Sequence, residues 1–592
     1  MGRIFALLGL LLVGLSSEAA ASSIQWQDWR ADLFQQAQRE NRFVILDLEA
    51  VWCHWCHVME EKTYADPAVI KLIQEKYIAV RADQDANPGL SARYGDYGWP
   101  ATIVFAPDGG EIVKRRGYIN PIAMQSLLQA IIDDPSPGPS IVKQLDFVAG
   151  EQTSLTPNQK NTLEQAWLDT YDKQYGGWGQ IHKYLDRNRI ELALIRAQNG
   201  DKQSEVMARK SLDQSLKLID PVWGGIYQYS DKLDWSSPHF EKIMSFQADA
   251  LHTFSLAWAW LRDPKYKAGA DAVYRYLTTF LMAPDGGFYV SQDADLNERV
   301  DGHAYYRLGD SERRKLGIPR VDKNRYAREN GWAISALADY YSYTANKAAL
   351  DQAIGAANWI IRNRGLDNGG FRHNDKDEGQ FLSGTLSMLD AFLQLYTVTG
   401  EADWLKRATA AADDIDSRFR AVDGGYISAL PGEIKTGAFS KPVKLMEENV
   451  TVARQMIRLH HYTGDARWKS ASENAMRLLA TDTVIDNKPW LVDILLADRE
   501  INQDPIHITV VGEKSKPDSG KLFRAAVGYP GIYRRIEWWD KTAGALPNPD
   551  VRYPQLKRPA AFACADNACS LPVFQPSGIA KTVQRLMATQ SQ

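Results

Sequence analysis

The chain has 592 residues, of which 45% are apolar and 24% charged, and its formal net charge is −4. That balance excludes a strongly basic nucleic-acid binder and a disordered chain, and the length allows about three domains with ample buried core. Four cysteines are too few for a disulfide scaffold and are expected to carry chemistry instead.

The first residues read as an export signal. Arg3 precedes an apolar run from Ile4 to Leu15, and Ser-Ser-Glu-Ala-Ala-Ala-Ser follows, with a cut expected near Ala21. The run is short for a bilayer span, so an uncleaved anchor is the weaker alternative. No cysteine follows the cut, which speaks against a lipoprotein. The mature chain is expected to be periplasmic or secreted, where disulfides persist, without stable membrane insertion after cleavage.

From Ile24 to Asp134 helices and strands alternate. Trp29, Leu33 and Ala37 are spaced for a helix over 28–40, and Phe43–Leu48 is an apolar strand. Trp52-Cys53-His54-Trp55-Cys56-His57 comes next. A strand that delivers Cys-x-x-Cys to the first turn of a helix sets a thiol among unpaired N–H groups and at the positive end of the helix dipole. Both favour the thiolate, the species that attacks a disulfide. A helix starts at Asp66-Pro67, Tyr77–Asp83 is a second buried strand, and Gly98-Trp99-Pro100 enters a third apolar run. Asp108-Gly109-Gly110 reads as a hairpin turn into Glu111–Arg115, and Met124–Ile132 as a last helix. The order β-α-β-α-β-β-α is that of the thioredoxin fold. Proline in a strand ordinarily argues against the strand. In this fold Pro100 is expected to be cis and to set the Trp99 backbone beside the dithiol, where an extended substrate can pair with it.

Cys53 is expected to be the exposed nucleophile and Cys56, a turn deeper, the resolving thiol. A protonated His54 would stabilise the thiolate and make the disulfide more oxidising, and His57 would do the same or simply pack. Cys53–His57 also matches the Cys-x-x-Cys-His attachment motif of c-type haem. Zinc held by both cysteine pairs, or by cysteines with His54 and His57, fits on ligand type. A core strand beside the motif disfavours haem and the lack of a zinc-ribbon arrangement disfavours zinc, so neither metal nor cofactor is expected.

Pro135-Ser136-Pro137-Gly138-Pro139 is a linker by composition. Beyond it a Gly-Gly-aromatic element, or nearly so, recurs at Gly176, Gly224, Gly286, Gly369 and Gly424, with helix pairs between. Such repetition means a solenoid or a closed ring, and the near-regular turns after alternate helices favour an (α/α)6 toroid with its long loops at one mouth. A hydrolase there would need two carboxylates across a cleft. The candidates are Glu241, Asp293, Asp295, Glu447 and Glu448, with His239 as an acid–base, and each could equally be a cap, a turn or a wall ion pair. From about Ile501 the pattern changes again: Ile506–Val511 is a strand, Lys521–Val527 a short helix and Tyr533–Trp538 another strand. Cys564 and Cys569 then form a local disulfide, or a second dithiol that exchanges with Cys53 and Cys56 if the tail folds back near Pro100.

The block Trp52–Glu60 with Gly98-Trp99-Pro100 resembles the spermatogenesis-associated thioredoxin-domain family, including its bacterial YyaL-like members. Tyr175–Gly179, Pro238–Met244, Gly286–Asp295 and Cys569–Val573 resemble its later blocks, so the likeness runs through nearly the whole mature chain. It implies a thioredoxin domain joined to an (α/α)6 toroid. The expected organisation is a signal at 1–21, an α/β thioredoxin-like domain at 22–135, a linker at 136–158, the all-α toroid at 159–500 and a small α/β tail at 501–592. The expected function is an exported thiol–disulfide oxidoreductase acting on exported protein thiols or disulfides, with the toroid as substrate or partner platform. The alternatives are a glycosidase- or epimerase-like toroid taking a carbohydrate ligand beside a regulatory thioredoxin domain, and a non-catalytic scaffold.

Overall fold

A computed structural model describes residues 23–140, 142, 145–565 and 568–590. The expected export signal at 1–21 lies outside the described residues. Among those described, no helix is long and apolar enough to cross a membrane.

The first unit runs α1 (Leu33–Glu40), β1 (Phe43–Glu49), α2 (His54–Lys62), α3 (Pro67–Lys76), β2 (Tyr77–Asp83), α4 (Pro88–Tyr94), β3 (Ala101–Phe105), β4 (Glu111–Arg116) and α5 (Pro121–Asp133). The sheet order is β2-β1-β3-β4, with β1 parallel to β2 and antiparallel to β3. Strand β1 is the centre because both of its faces are apolar. Ile45 packs toward α3 and α5, while Val44, Leu46 and Leu48 pack toward α1 and α4. The helix expected over 28–40 starts later, at Leu33. Gln27 instead bridges to the outer edge of β2, and its carbonyl accepts the Arg81 N–H at 3.0 Å. Pairing with an open strand edge satisfies backbone groups that a longer helix would have had to leave.

The second unit contains α6 (Pro157–Asp169), α7 (Arg187–Gln198), α8 (Lys202–Ser215), β5 (Tyr229–Ser230), β6 (Pro238–His239), β7 (Lys242–Ile243), α9 (Met244–Leu261), α10 (Pro264–Tyr276), β8 (Ser291–Gln292), α11 (Gly302–Tyr305), α12 (Asp310–Leu316) and β9 (Val321–Asp322). It continues through α13 (Ala327–Thr344), α14 (Lys347–Arg364), α15 (Leu382–Thr399), α16 (Ala402–Arg418), α17 (Met446–Thr463), α18 (Ala466–Leu479), α19 (Asp482–Asn487) and α20 (Asp493–Asn502). Helices α7, α9, α13, α15, α17 and α20 each touch the next, and α20 touches α7, so the inner ring closes. Helices α9, α13 and α15 are buried around most of their circumference, as inner-ring helices must be. The outer helices α8, α10, α14, α16 and α18 each back onto the inner helix before them. The sixth outer position falls to α6: Lys160 pairs with Asp498 of α20 at 2.7 Å, and Asp498 also accepts the Leu155 N–H. The two ends of the repeat thus lock the ring.

The Gly-Gly turns owe their glycines to contact as well as to backbone conformation. Gly225 has φ +75°, and a Cβ there would lie 2.6 Å from the Tyr276 ring. No side chain tolerates both demands.

The tail runs β10 (Ile506–Val511), α21 (Pro517–Val527), β11 (Arg534–Trp539), β12 (Ala560–Ala565), β13 (Ala568–Cys569) and α22 (Gly578–Gln590). Its sheet order is β11-β10-β12-β13, with β10 parallel to β11 and antiparallel to β12. This repeats the strand order and directions of the first sheet, with a single helix between the parallel strands. The two α/β units cap opposite ends of the ring. The first meets the N-terminal ends of inner helices: Arg328 of α13 reaches Asp85, and Phe381, just before α15, covers Gly89. A toroid loop also inserts Phe439 among Trp29, Phe34 and Phe105 of the first unit. The tail meets the C-terminal ends: Arg524 donates to the Tyr341 carbonyl, and the Tyr462 hydroxyl accepts the Ile536 N–H at 3.3 Å.

Candidate functional site: a dithiol enclosed between two domains

Cys53 and Cys56 are joined by a disulfide with their Cα atoms 5.3 Å apart. Cys53 is the N-cap of α2, and its sulfur accepts the Cys56 N–H at 3.1 Å. The Trp99–Pro100 peptide bond is cis. Trp99 packs against the cluster formed by Ala50, Trp52, Cys53 and Cys56, with its ring 5.5 Å from that of Trp52. Trp55, the second residue of the helix, is exposed and lies beside Tyr118.

One expectation is corrected here. Cys53 is not an exposed sulfur: it is only 4% exposed, as buried as Cys56 at 5%. The cover comes from the toroid, where Ile243 of β7 and Phe246 of α9 join the same apolar cluster. A thioredoxin domain alone has no such lid, so the motif gave no hint of it.

The toroid also reaches the helix that carries the dithiol. The loop after β8 brings Asp293 and Asp295 to α2. His54 Nδ1–H donates to Asp295 Oδ2 at 2.6 Å, while His57 Nε2 stands 3.6 Å from Asp293 and its Nδ1 3.7 Å from Asp295. The hydrogen bond to Asp295 raises the His54 pKa above its ordinary value, against the effect of burial. His57 is raised as well, by Asp295 first and then, once burial is overcome, by the charge of Asp293. Burial works to raise Asp295, but the hydrogen bond from His54 and the nearby His57 imidazole outweigh it and hold the carboxyl well below the usual range. Burial pushes Asp293 up to about 6. These groups line an open cleft of about 610 Å³ together with Glu61 of α2 and Arg299 and Arg320 of the toroid.

Four of the six expected toroid cleft residues, His239, Glu241, Asp293 and Asp295, come together beside the dithiol helix, where the β7–β8 pairing sets Glu241 near Asp293, while Glu447 and Glu448 belong to α17. Asp293 and Asp295 serve the dithiol helix. His239 bridges Asp231 at 2.6 Å and lies 3.8 Å from the buried Glu241. Glu447 and Glu448 sit at the start of α17, and burial pushes Glu448 up to about 7 with Arg328 nearby. Repeats bring these loops to one mouth, and the first domain seats against it through His54 and Asp85. Cys564 and Cys569 are bonded to each other across β12 and β13. The relay with Cys53 is therefore not formed: the tail lies at the far ends of inner helices of 18 residues, each about 27 Å long.

Sequence reasoning missed the acid that anchors the seam. Asp85 is buried, accepts the Trp52 indole N–H at 2.8 Å and pairs with Arg328 of the toroid at 3.3 Å, while its carbonyl accepts from His373 Nε2 at 2.6 Å. Burial, with the neighbouring Asp83 charge, pushes it up to about 8. A second buried acid, Asp47, lies inside β1, raised to about 6 by burial despite Arg81. The signal was an aspartate in an otherwise apolar central strand.

Comparison with known proteins follows the same division. Residues 15–132 match a thioredoxin-like family described as a protein of unknown function, DUF255, and residues 248–485 match the Beta-L-arabinofuranosidase, GH127 catalytic domain. The chain is 24% identical to human spermatogenesis-associated protein 20, over 95% of this chain and 90% of that one. It is 25% identical to the Caenorhabditis elegans uncharacterized protein B0495.5, over 47% of this chain and only 42% of the worm protein. A segment covering 14% of the chain is 36% identical to thiol:disulfide interchange protein DsbD 2 of Pseudomonas aeruginosa, covering 14% of that protein. Among solved structures, a D-mannose isomerase aligns with 58% of this chain and 96% of its own at 12% identity and a TM-score of 0.45. The chain thus combines a thioredoxin-like domain with a GH127-like toroid, and its homologues include spermatogenesis-associated protein 20.

Proposed function

We propose, on the premise that this chain shares the domain make-up of spermatogenesis-associated protein 20, that it is a thiol–disulfide oxidoreductase of an exported compartment. The observation that carries this reading is the Cys53–Cys56 bond across the first turn of α2, with Cys53 at the N-cap. When the pair is reduced, the helix start favours a Cys53 thiolate. That thiolate attacks one sulfur of a client disulfide, the client S–S bond breaks, and the other client sulfur leaves as a thiolate. Cys56 then attacks the Cys53 sulfur of the mixed disulfide and expels the second client thiolate. Two electrons pass to the client, and Cys53–Cys56 is oxidised; the reverse sequence oxidises a client dithiol. The similarity of a segment of this chain to the thiol:disulfide interchange protein DsbD 2 supports this chemistry.

Because Ile243 and Phe246 cover the sulfurs, a protein client gains access only when the Asp293–Asp295 loop and β7 move away. The toroid is then a gate and docking platform. The GH127 match favours a second reading, a carbohydrate-active toroid. A cavity on the ring axis between Arg187, Glu191, His252 and Arg454 has about 80 Å³, against the roughly 300–1,000 Å³ of ordinary small-molecule sites. The bonded cysteine pair at the helix start, with the larger cleft opening beside it, makes the oxidoreductase the preferred reading.

Cys56→Ser in the exported compartment should leave Cys53 linked to a client as a mixed disulfide, separable on non-reducing gels and identifiable by mass spectrometry. Adding Ile243→Ala should increase the yield by uncovering the sulfur. If neither variant traps a partner while both remain folded, the oxidoreductase reading is wrong.

A further inference from the structure

We propose that His57, Asp293 and Asp295 form a divalent metal site of zinc type that bridges the two domains beside the dithiol. The inference goes beyond the redox reading and does not depend on it, since the ligands are neither cysteine and the disulfide stays intact.

Each of the three residues offers one ligand atom, and these atoms lie within 4.8 Å of one another. Asp293 is only 5% exposed. Its Oδ1 accepts the Asp295 N–H at 3.0 Å, while the atom facing His57 Nε2 is Oδ2, at 3.6 Å. That contact is an ion-pair distance, too long for a hydrogen bond, and it leaves the oxygen of a largely buried carboxylate facing the cleft beside the imidazole. The separation of 3.6 Å between His57 Nε2 and Asp293 is close to the edge of about 3.4 Å expected between two ligands on a tetrahedral ion with bonds of about 2.1 Å. Asp295 Oδ2 stands 3.7 Å from the other ring nitrogen, Nδ1, so it reaches the ion by a rotation of the His57 ring or of its own carboxylate.

The supporting contacts have the form that metal ligands require. Asp295 is fixed from both sides, its Oδ1 accepting the Gly302 N–H at 2.8 Å and its Oδ2 the His54 Nδ1–H at 2.6 Å. Such outer contacts orient a ligating carboxylate before the ion arrives. Two carboxylates compensate a 2+ ion, and one imidazole with two oxygens suits zinc or a neighbouring first-row ion better than soft Cu(I). The cleft of about 610 Å³ provides the entry path and room for a bound water as fourth ligand. His57 belongs to α2 and the two aspartates to the toroid loop, so the ion would pin that loop over the sulfurs.

The test uses the whole mature chain, disulfide intact and stripped by chelator. Zn²⁺ is titrated against a chromophoric competitor, and Co²⁺ binding is read from its visible absorption and from the paramagnetically shifted imidazole protons. One equivalent should bind, with one imidazole in the cobalt spectrum. Asp293→Asn combined with His57→Gln should weaken binding at least 100-fold, and His54→Gln about 10-fold through loss of the contact to Asp295. No stoichiometric binding to the wild-type chain, or a cobalt spectrum without an imidazole ligand, overturns the site whether or not the variants fold. Undiminished affinity in the folded double variant does so too.

Discussion

His54 and Asp295 meet at 2.6 Å although 241 residues separate them. One stands in the first turn of the dithiol helix and the other on a loop of the toroid, so the pair couples the electrostatics of the sulfurs to the docking of the second domain. The imidazole is held protonated to a higher pH than in an isolated helix, beside the sulfur whose anion it would stabilise.

Asp295→Asn keeps the shape of the side chain and removes its charge. The His54 titration midpoint, followed by NMR in the presence of chelator, should fall toward its ordinary value. Reduction of Cys53–Cys56 by dithiothreitol should accelerate several-fold as the loop loosens. An unmoved His54 midpoint would show that the pairing does not govern the imidazole.

The seam at Asp85 should respond to pH. Burial first, and then the charge of Asp83, raises its folded-state pKa to about 8 while Arg328 opposes; in the unfolded chain the value is about 3.9. The stabilisation tied to the protonated form is therefore complete below about pH 4 and is lost as pH rises through the folded-state value. Protection from hydrogen exchange at the Asp85–Arg328 contact, corrected for the intrinsic pH dependence of exchange, should fall between about pH 4 and about pH 8. Asp85→Asn should flatten that dependence, and an identical slope in the variant would contradict this assignment.

Replacing both Cys564 and Cys569 with serine opens a bridge between residues only five apart in sequence, worth about 2 kcal/mol by loop-closure entropy. Chemical denaturation should report that loss in the tail. The reduction rate of Cys53–Cys56 should not change, because the two bridges lie at opposite ends of the ring. A slowed exchange at Cys53 would revive the relay.

The local features were legible from the chain alone because short-range chemistry determines them. Phe43–Leu48 feeding Cys53-His54-Trp55-Cys56, the proline at position 100 and the Gly-Gly turns each read correctly, since periodicity, capping and positive φ act over a few residues. Nothing over that range could reveal Ile243 above the sulfurs, Asp295 on His54, or Arg328 on Asp85. Those partners lie between about 190 and 240 positions away in sequence, and their meeting depends on how a closed ring of helices seats a separate sheet against its mouth. The tertiary structure therefore decided that the toroid's acids serve the dithiol, because the surface that would have been an open cleft is the one the first domain buries.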